Sequence, residues 1–255
     1  MVGPLPIEQD AGRRRVTLAI LLQVFLRGLL VQAGFNPRTL QGPGWAFAMA
    51  PALLFLYPEA CERSAALRRH LGHFNTHPYF AAALLGGALR IEERIAAGLA
   101  PASSVHDFRQ ALAFPLAGVG DAFFWSALRP ACALLAVVCL PLAGAWSVAV
   151  FLASYNGIHL AVRTWGFLVG YRQAEALIES VGRLRLPAVT TWLRRLAAVL
   201  AGAVGAVVLL GAVGRGEALA VVCGAALTLA LVDRVRGWQV VLTVLGMAVL
   251  LGSLS

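Results

Sequence analysis

The stretch AFFWSALRPACALLAVVCLPL, residues 122–142, decides the fold class. Apart from Arg129 it is apolar for about 20 residues, the length that a helix needs to cross a hydrocarbon layer of about 30 Å. A second stretch, WSVAVFLASYNGIHLAVRTWGFLVG at 146–170, is of similar length and character. Together the two stretches predict a helical protein that spans a membrane.

The composition of the whole chain agrees with this prediction. Of its 255 residues, 60% are hydrophobic and only 13% are charged, and the mean hydropathy is +0.78. Soluble domains are typically about a quarter charged, and a water-soluble core of this size could not bury so much apolar surface. The net charge of +9 comes from arginines that flank apolar segments, as the positive-inside bias favours. No nucleic-acid-binding motif accompanies this charge, so no nucleic-acid partner is predicted.

The first half of the chain has a different pattern. Its apolar stretches are short, as at 45–57, which contains Pro51, and at 79–89. Stretches of about 10–14 apolar residues are typical of core, interfacial or re-entrant helices. The charged segment at 59–70 between them predicts a helix at an aqueous face. The fold class is therefore all-α: a polytopic membrane protein with short, broken and re-entrant helices in the N-terminal half and spanning helices in the C-terminal half.

Composition divides the chain into four parts. Residues 1–15 form an N-terminal tail, and 16–180 form a membrane core. Residues 181–195 contain four arginines and are predicted to be a basic connector at the cytoplasmic face. Residues 196–255 hold short, nearly uncharged segments that predict a compact group of transmembrane helices.

Polar residues at membrane depth are informative, because a charged one costs about 2.5–3.5 kcal/mol at a helix centre. The segment HFNTHPY, residues 73–79, combines amide, hydroxyl, imidazole and aromatic groups, and Pro78 biases His77 away from helical geometry. Such groups suit sugar hydroxyls, so Asn75, Thr76 and His77 are predicted to bind hydroxyls or to line a pore. The alternative is a capped helix start, in which these side chains satisfy only the backbone.

A second polar cluster is PLAGVGD, residues 115–121. Gly118 and Gly120 are predicted to allow a tight turn, and Asp121 to cap the helix that follows. Arg129 lies eight residues beyond Asp121, about two helical turns, so the two charges can share a helix face and form an ion pair. The GVGD sequence is not followed by the GK[ST] of a phosphate loop, so no nucleotide site is predicted.

The adjacent carboxylates of Glu92 and Glu93 could in principle serve acid–base chemistry. Arg90 and Arg94 lie beside them, so a plain helix end with neighbouring ion pairs is the favoured interpretation. The four cysteines include no CxxC pair, so the sequence predicts neither a metal site nor a disulfide framework.

Asn156, His159 and Arg163 lie three and four residues apart in the second spanning stretch. This spacing places them on one helix face, which should look into the bundle because the rest of the helix is apolar. Asn156 is therefore a further pore-lining candidate. His159 could carry a proton or a phosphoryl group, although a buried histidine with satisfied hydrogen bonds is more common.

At these residues the chain resembles the IID component of the mannose-fructose-sorbose class of bacterial phosphotransferase permeases. The resemblance covers about residues 20–180, and its motifs keep the order and spacing of the family. They are VFLR at 24–27, YPE at 57–59, RRHL and FNT within 68–76, LRIEE at 89–93, and PLAGVGD, FW and RP within 115–130.

The resemblance implies a sugar permease of a bacterial inner membrane, with several IIC–IID pairs assembled in the bilayer. A soluble IIAB phosphocarrier would pass phosphate to a hexose that the IIC–IID pair carries inward. The family's IID carries no phosphohistidine, so neither covalent catalysis nor a cofactor is expected here. On this basis Trp125 is expected to pack near the sugar path, and Arg63, Arg68 and Arg69 to form a docking face for IIB.

Two other functions stay open at this point. The chain could be a non-transporting membrane scaffold or regulator that reports the state of the phosphorelay. It could also be an unrelated membrane enzyme that uses Glu92, Glu93, Asp121 and His77, in which case the isolated chain would be active. The compact part at 196–255 departs from the family and leaves the choice of sugar open.

Overall fold

The computed structural model describes residues 15–212, and every regular element in this range is a helix. The α-helices in chain order are α1 (Leu18–Gly28), α2 (Gly42–Leu56), α3 (Ala60–Leu71), α4 (Ala81–Ala96), α5 (Ser104–Gly120), α6 (Arg129–Ala143), α7 (Ser147–Arg172), α8 (Leu177–Arg183) and α9 (Leu186–Ala212). A π-helical segment (Asp121–Leu128) joins α5 to α6, and a 3-10 turn (Gly144–Trp146) joins α6 to α7. The all-α prediction is confirmed. The predicted C-terminal segments beyond 212 and most of the predicted tail lie outside the described residues.

Helix length separates the two halves of the chain. The first two helices have 11 and 15 residues. At about 1.5 Å per residue both are shorter than a hydrocarbon layer of about 30 Å. From Ser104 to Arg172 the chain is helical without a gap, and among the described residues this run is long and apolar enough to cross a membrane. The predicted contrast between short and spanning helices is confirmed, and the re-entrant insertion of the short ones stays a prediction.

The first of two compact units comprises residues 15–125 and 156–187. Within it α2 packs against α1, α3 and α4, and α4 also packs against α1 and α5. Trp45, Phe80 and Phe124 are fully buried in its core. The polar loop between α3 and α4 belongs to this same unit, together with most of the candidate residues.

Small residues allow α4 and α7 to approach each other within this unit. A Cβ added at Gly86 would overlap the carbonyl oxygen of Phe167, and one added at Gly170 would overlap that of Ala83. Gly166 and Gly170 are four residues apart, the spacing of small-xxx-small motifs that pack membrane helices. The two helix backbones consequently come into direct contact at these glycines.

The second unit comprises residues 126–155 and 188 onward. In it Gly144 ends α6 with a φ of 52°, a conformation that glycine adopts without steric strain. One turn into α7, the rings of Phe151 and Tyr155 stack with centroids 5.8 Å apart. Gly144 thus separates two apolar helices that the sequence already predicted as separate spans.

The predicted turn and cap at 115–121 are wrong. Gly118 and Gly120 are helical residues of α5, and neither has a positive φ. Asp121 begins no new helix, because the π-helical segment continues α5 directly. Pro130 accounts for the π-helical segment itself, because its ring lacks an N–H and crowds the carbonyl four residues earlier, so that the helix before it opens into wider turns.

Candidate functional site

The polar segment at 73–79 places its side chains in two different environments. Asn75 is exposed at the surface of the first unit. Thr76 is buried, and its hydroxyl donates to the carbonyl oxygen of Ala113 in α5 at 2.9 Å. Its backbone N–H donates to Gln41 Oε1 at 3.1 Å, and Gln41 Nε2 donates back to the Thr76 carbonyl at 2.7 Å. This reciprocal pair of hydrogen bonds with Gln41 fixes the loop, and the Thr76 hydroxyl is bonded to a backbone carbonyl. The exposed Asn75 side chain can therefore bind a ligand, whereas the Thr76 side chain cannot.

His77 lies in an aromatic cluster rather than on an open surface. Its ring stacks on Phe124 with centroids 4.9 Å apart, and Trp125 and Tyr79 lie 4.8 and 4.9 Å away. Nδ1 accepts a hydrogen bond from the Tyr79 N–H, which leaves the ring proton on Nε2. Nε2 has no hydrogen-bond partner among the described residues, although His77 is only 1% exposed.

Gly120 allows this cluster to form. A Cβ at Gly120 would overlap Cβ and Cγ of His77. Gly118, one half-turn earlier in the same helix, faces open space. The glycine at 120 therefore serves close packing of α5 on His77, whereas the sequence had predicted a turn. Trp125 follows in the π-helical segment and is 39% exposed at the edge of the cluster.

A cleft of about 230 Å³ opens beside Asn75. Its walls come from the loop before α4 and from α5, and it is lined by Leu40, His73, Phe74, Asn75, His106, Arg109, Gln110, Ala113, Phe114 and Ala117. Arg109 is 5% exposed and donates to the carbonyl oxygens of Arg69 at 3.0 Å and His73 at 3.3 Å. Its guanidinium lies 5.0 Å from the Trp45 ring and 4.9 Å from the Phe74 ring. Sequence patterns do not single out this arginine, because its partners come from α2, α3 and the loop.

Glu92 is the centre of a buried hydrogen-bond network. Its carboxylate accepts from Arg69 Nε at 2.8 Å and Nη2 at 2.7 Å, from the Tyr57 hydroxyl at 2.7 Å and from His70 Nε2 at 2.8 Å. Trp45 Nε1 donates to His70 Nδ1 at 2.8 Å, which extends the network into α2. Glu92 thereby ties α4 to α2 and α3, and it has no exposed surface.

These contacts fix the protonation of the network. Since the Trp45 indole can only donate, His70 Nδ1 must accept and Nε2 must carry the proton, so His70 is neutral. Burial lowers the pKa of His70, in agreement with this assignment. Burial alone would raise the pKa of the Glu92 carboxyl, but hydrogen bonds from Arg69 and His70 outweigh it and lower that pKa to about 2. Glu92 is therefore a permanent carboxylate at neutral pH, which does not suit a general acid.

Glu93 belongs to a separate network. Its Oε1 accepts from the Val16 N–H and the Tyr171 hydroxyl, both at 2.8 Å, and Oε2 accepts from Arg90 Nη1 at 2.8 Å. Glu93 is only 6% exposed, and its hydrogen bonds connect the segment before α1 and the end of α7 to α4. Arg94 pairs instead with Glu175 at the surface. Of the predicted neighbouring ion pairs, the one between Glu93 and Arg90 is found, whereas Glu92 pairs with Arg69 and Arg94 with Glu175. Glu92 and Glu93 are buried anchors rather than solvated residues of a helix end.

The polar residues of α7 gather around Tyr79. The rings of His159 and Tyr79 stack with centroids 4.3 Å apart, and the Arg163 guanidinium lies 4.6 Å from the Tyr79 ring. Asn156 Oδ1 and His159 Nε2 are 2.8 Å apart. The shared helix face thus packs on the loop before α4. The pore-lining role of Asn156 and the ion pair of Asp121 with Arg129 stay predictions.

The three arginines of the predicted docking face differ in availability. Arg69 is held by Glu92 and Tyr57. Arg63 donates to the backbone carbonyls of Tyr57 at 3.3 Å and Pro58 at 2.8 Å. Arg68 is exposed and bonds only within its own helix, to Ser64 Oγ at 3.1 Å, among the described contacts. Arg68 is therefore the residue of this set that a partner could reach.

Comparison with known proteins gives a consistent set of similarities. The family model for the mannose/fructose/sorbose family IID component of the phosphotransferase system (PTS) matches residues 15–210. The PTS mannose-specific EIID component of Escherichia coli (strain K12) is 35% identical over 176 residues, 68% of this chain and 62% of that protein. The fructose permease IID component of Bacillus subtilis (strain 168) is 30% identical over 181 residues, 69% of this chain and 65% of that protein. The match thus spans less than two thirds of the length of these relatives.

A solved structure is similar as well. The cryo-EM structure of the mannose transporter ManYZ in complex with microcin E492 contains a chain that is 34% identical to this one. The two superpose with a TM-score of 0.61, over 74% of this chain and 70% of that chain. The likeness extends from the sequence to the helical architecture.

Proposed function

Because the chain belongs to the mannose/fructose/sorbose family of phosphotransferase-system IID components, we propose that it is the IID membrane subunit of a sugar permease. In this role it forms a hexose translocation path together with a IIC subunit, and a soluble IIAB phosphocarrier phosphorylates the sugar. IIC–IID pairs assemble further into a homo-oligomer in the bacterial inner membrane, which the chain crosses several times. The name of the similar structure, the mannose transporter ManYZ, supports a transport role.

The observation that carries this proposal is the position of the family-like residues. The YPE, RRHL and LRIEE stretches meet in the Glu92 network through Tyr57, Arg69 and His70. The FNT and PLAGVGD stretches lie beside each other's flanking residues: Thr76 of FNT donates to the carbonyl of Ala113, two residues before PLAGVGD, and Gly120 of PLAGVGD packs on His77, the residue after FNT. A buried ion pair adds little net stability, so a network of this kind is better explained by the geometry that it imposes.

Within this framework the candidate residues take different roles. Asn75, exposed beside the cleft, binds sugar hydroxyls, and Trp125 packs against the sugar path from the edge of the aromatic cluster. Thr76 and His77 hold the loop in the orientation that presents Asn75. Asn156 lines the path from α7.

Affinity purification of the tagged chain from its native membrane, followed by mass spectrometry, tests the proposal. Recovery of a second polytopic chain together with a soluble histidine phosphocarrier is expected. Uptake of labelled mannose, fructose and sorbose by a deletion strain then identifies the sugar, and Asn75→Ala is expected to reduce uptake with unchanged membrane levels. Recovery of the chain alone, or with soluble relay proteins only, would replace transport by a regulatory role.

A further inference from the structure

Besides Asn75, the cleft contains positively charged and hydrogen-bonding groups that the proposed transport role does not use. Its lining includes the buried Arg109, His73 from the loop before α4, His106 from α5, and the amides of Asn75 and Gln110. We propose that this cleft binds a phosphate monoester of monosaccharide size. The assignment extends the hydroxyl-binding role of Asn75 and in that respect rests on the proposed function.

The buried charge of Arg109 is the first reason for an anionic ligand. Two backbone carbonyls and two ring faces stabilise the guanidinium, but none of these groups carries a negative charge. Within the part of the chain that the structure describes, no carboxylate pairs with it, and its Nε–H has no acceptor. Burying a charge without a counter-charge is costly, and an anion in the cleft would lower that cost.

The side chains around the opening are the second reason. His73 and His106 are exposed and can donate an N–H to a phosphate oxygen in either protonation state. Among the described residues, no Asp or Glu lines the cleft, so no described carboxylate in its wall repels an anion. Asp107 is adjacent in sequence but is not among the lining residues.

Size and position define the rest of the ligand. The volume of about 230 Å³ is below the range of about 300–1,000 Å³ usual for drug-sized ligands, which favours a single sugar ring over a nucleotide. The Asn75 and Gln110 amides can bind hydroxyls, and the 86% exposed Phe114 ring offers an apolar face for the ring of a sugar. His106 and Gln110 lie in the first two turns of the long apolar helical run, where a water-soluble ligand can reach them at the membrane surface.

Isothermal titration calorimetry on the full chain in nanodiscs tests the site. The probes are inorganic phosphate, glucose 6-phosphate and glucose, and the nanodiscs contain phosphatidylcholine alone or with phosphatidic acid. Replacement of Arg109 would also remove its hydrogen bonds to two backbone carbonyls and could disturb the fold. The variants are therefore placed at exposed lining residues, as His106→Ala and His73→Ala. Arg183→Gln, which removes an exposed positive charge outside the cleft, is the matched control.

Saturable binding of glucose 6-phosphate is expected, with weaker binding of inorganic phosphate and much weaker binding of glucose. Each histidine variant should weaken binding by about tenfold, as the loss of one charge-assisted hydrogen bond predicts, and the control should not. If phosphatidic acid in the nanodisc weakens the binding of glucose 6-phosphate, the phosphate monoester that the cleft binds is a lipid headgroup. Absence of saturable phosphate binding, binding unchanged in both histidine variants, or equal binding of glucose would overturn the proposal. None of these results depends on transport or on a IIC partner, so the proposed function is tested separately.

Discussion

Glu92 shows how one residue organises its surroundings. Its side chain has no exposed surface and would be unfavourable in a buried position on its own. Four hydrogen bonds from three side chains compensate for the lost hydration, and two of them come from the same guanidinium. The bidentate pair with Arg69 also fixes orientation, because both partners are planar. The carboxylate therefore determines how α2, α3 and α4 meet.

The Glu92→Gln substitution is expected to destabilise the chain by about 3–5 kcal/mol, since it leaves the Arg69 charge in a half-buried site without its counter-charge. Thermal unfolding of the purified protein in detergent, compared with chemical denaturation, measures the effect. Glu175→Gln is the matched control, because Glu175 is 71% exposed and its pair with Arg94 should contribute only about 0–1 kcal/mol. Equal effects of the two substitutions would show that the Glu92 network is not a structural anchor.

Gly118 and Gly120 provide a second comparison at the residue scale. Both lie in α5, where replacement of glycine by alanine favours the helix by about 1 kcal/mol. Gly118→Ala should therefore be neutral or stabilising, because nothing lies near its Cβ position. Gly120→Ala should destabilise by about 1–3 kcal/mol, the usual range for overpacking, because its methyl group would overlap His77. Melting temperatures of the two variants measure the difference, and a stable Gly120→Ala variant would contradict the packing role.

At the scale of helices, α4 and α7 meet through backbone contacts at glycine. Gly170→Ala is expected to force the helices apart and to lower the melting temperature, since its Cβ would overlap the Ala83 carbonyl. Gly157→Ala in the same helix faces open space within the described chain and should not destabilise. Thermal unfolding of both variants separates a packing effect from the change in helix propensity. Similar melting curves for the two would contradict direct contact of the helix backbones.

The sequence predicted element types better than element junctions. Spans and short helices follow from the length of apolar runs. The turn at Gly118 and Gly120 was wrong because a glycine that permits a turn and a glycine that permits close packing look identical in one sequence. The four-residue spacing of Gly166 and Gly170 is the sequence signal that indicates the helix contact between α4 and α7.

The site was predicted only where its parts are adjacent in sequence. The segment at 73–79 was found because its polar groups are consecutive. Arg109, Gln41 and Tyr171 were missed because each acts on partners 30 or more residues away, and a polar residue does not by itself indicate a distant partner. The docking prediction for Arg69 did not anticipate its ion pair for the same reason: its partner, Glu92, lies in another helix.

At the scale of the whole molecule, the proposed permease role requires a polar surface that a soluble phosphocarrier can contact. The α3 helix is a charged element between apolar helices. Its Arg68 is exposed and, among the described contacts, bonds only to Ser64 of the same helix. Charge at the rim of an interface mainly affects the association rate, and salt screens it. A IIB domain that docks on α3 should therefore bind through an interaction that depends on Arg68 and on ionic strength.

Reversal of this charge tests the docking face. Arg68→Glu is expected to slow association of the cognate IIB domain by about tenfold at low salt, and by much less at about 0.5 M salt, where the Debye length is only a few ångströms. Surface plasmon resonance on nanodiscs that contain the chain and its IIC partner measures both rates. Arg183→Glu changes the net charge equally at another exposed site, so it separates local contact from long-range attraction. If both variants slow association to the same degree, the overall field attracts IIB and α3 is not its docking face.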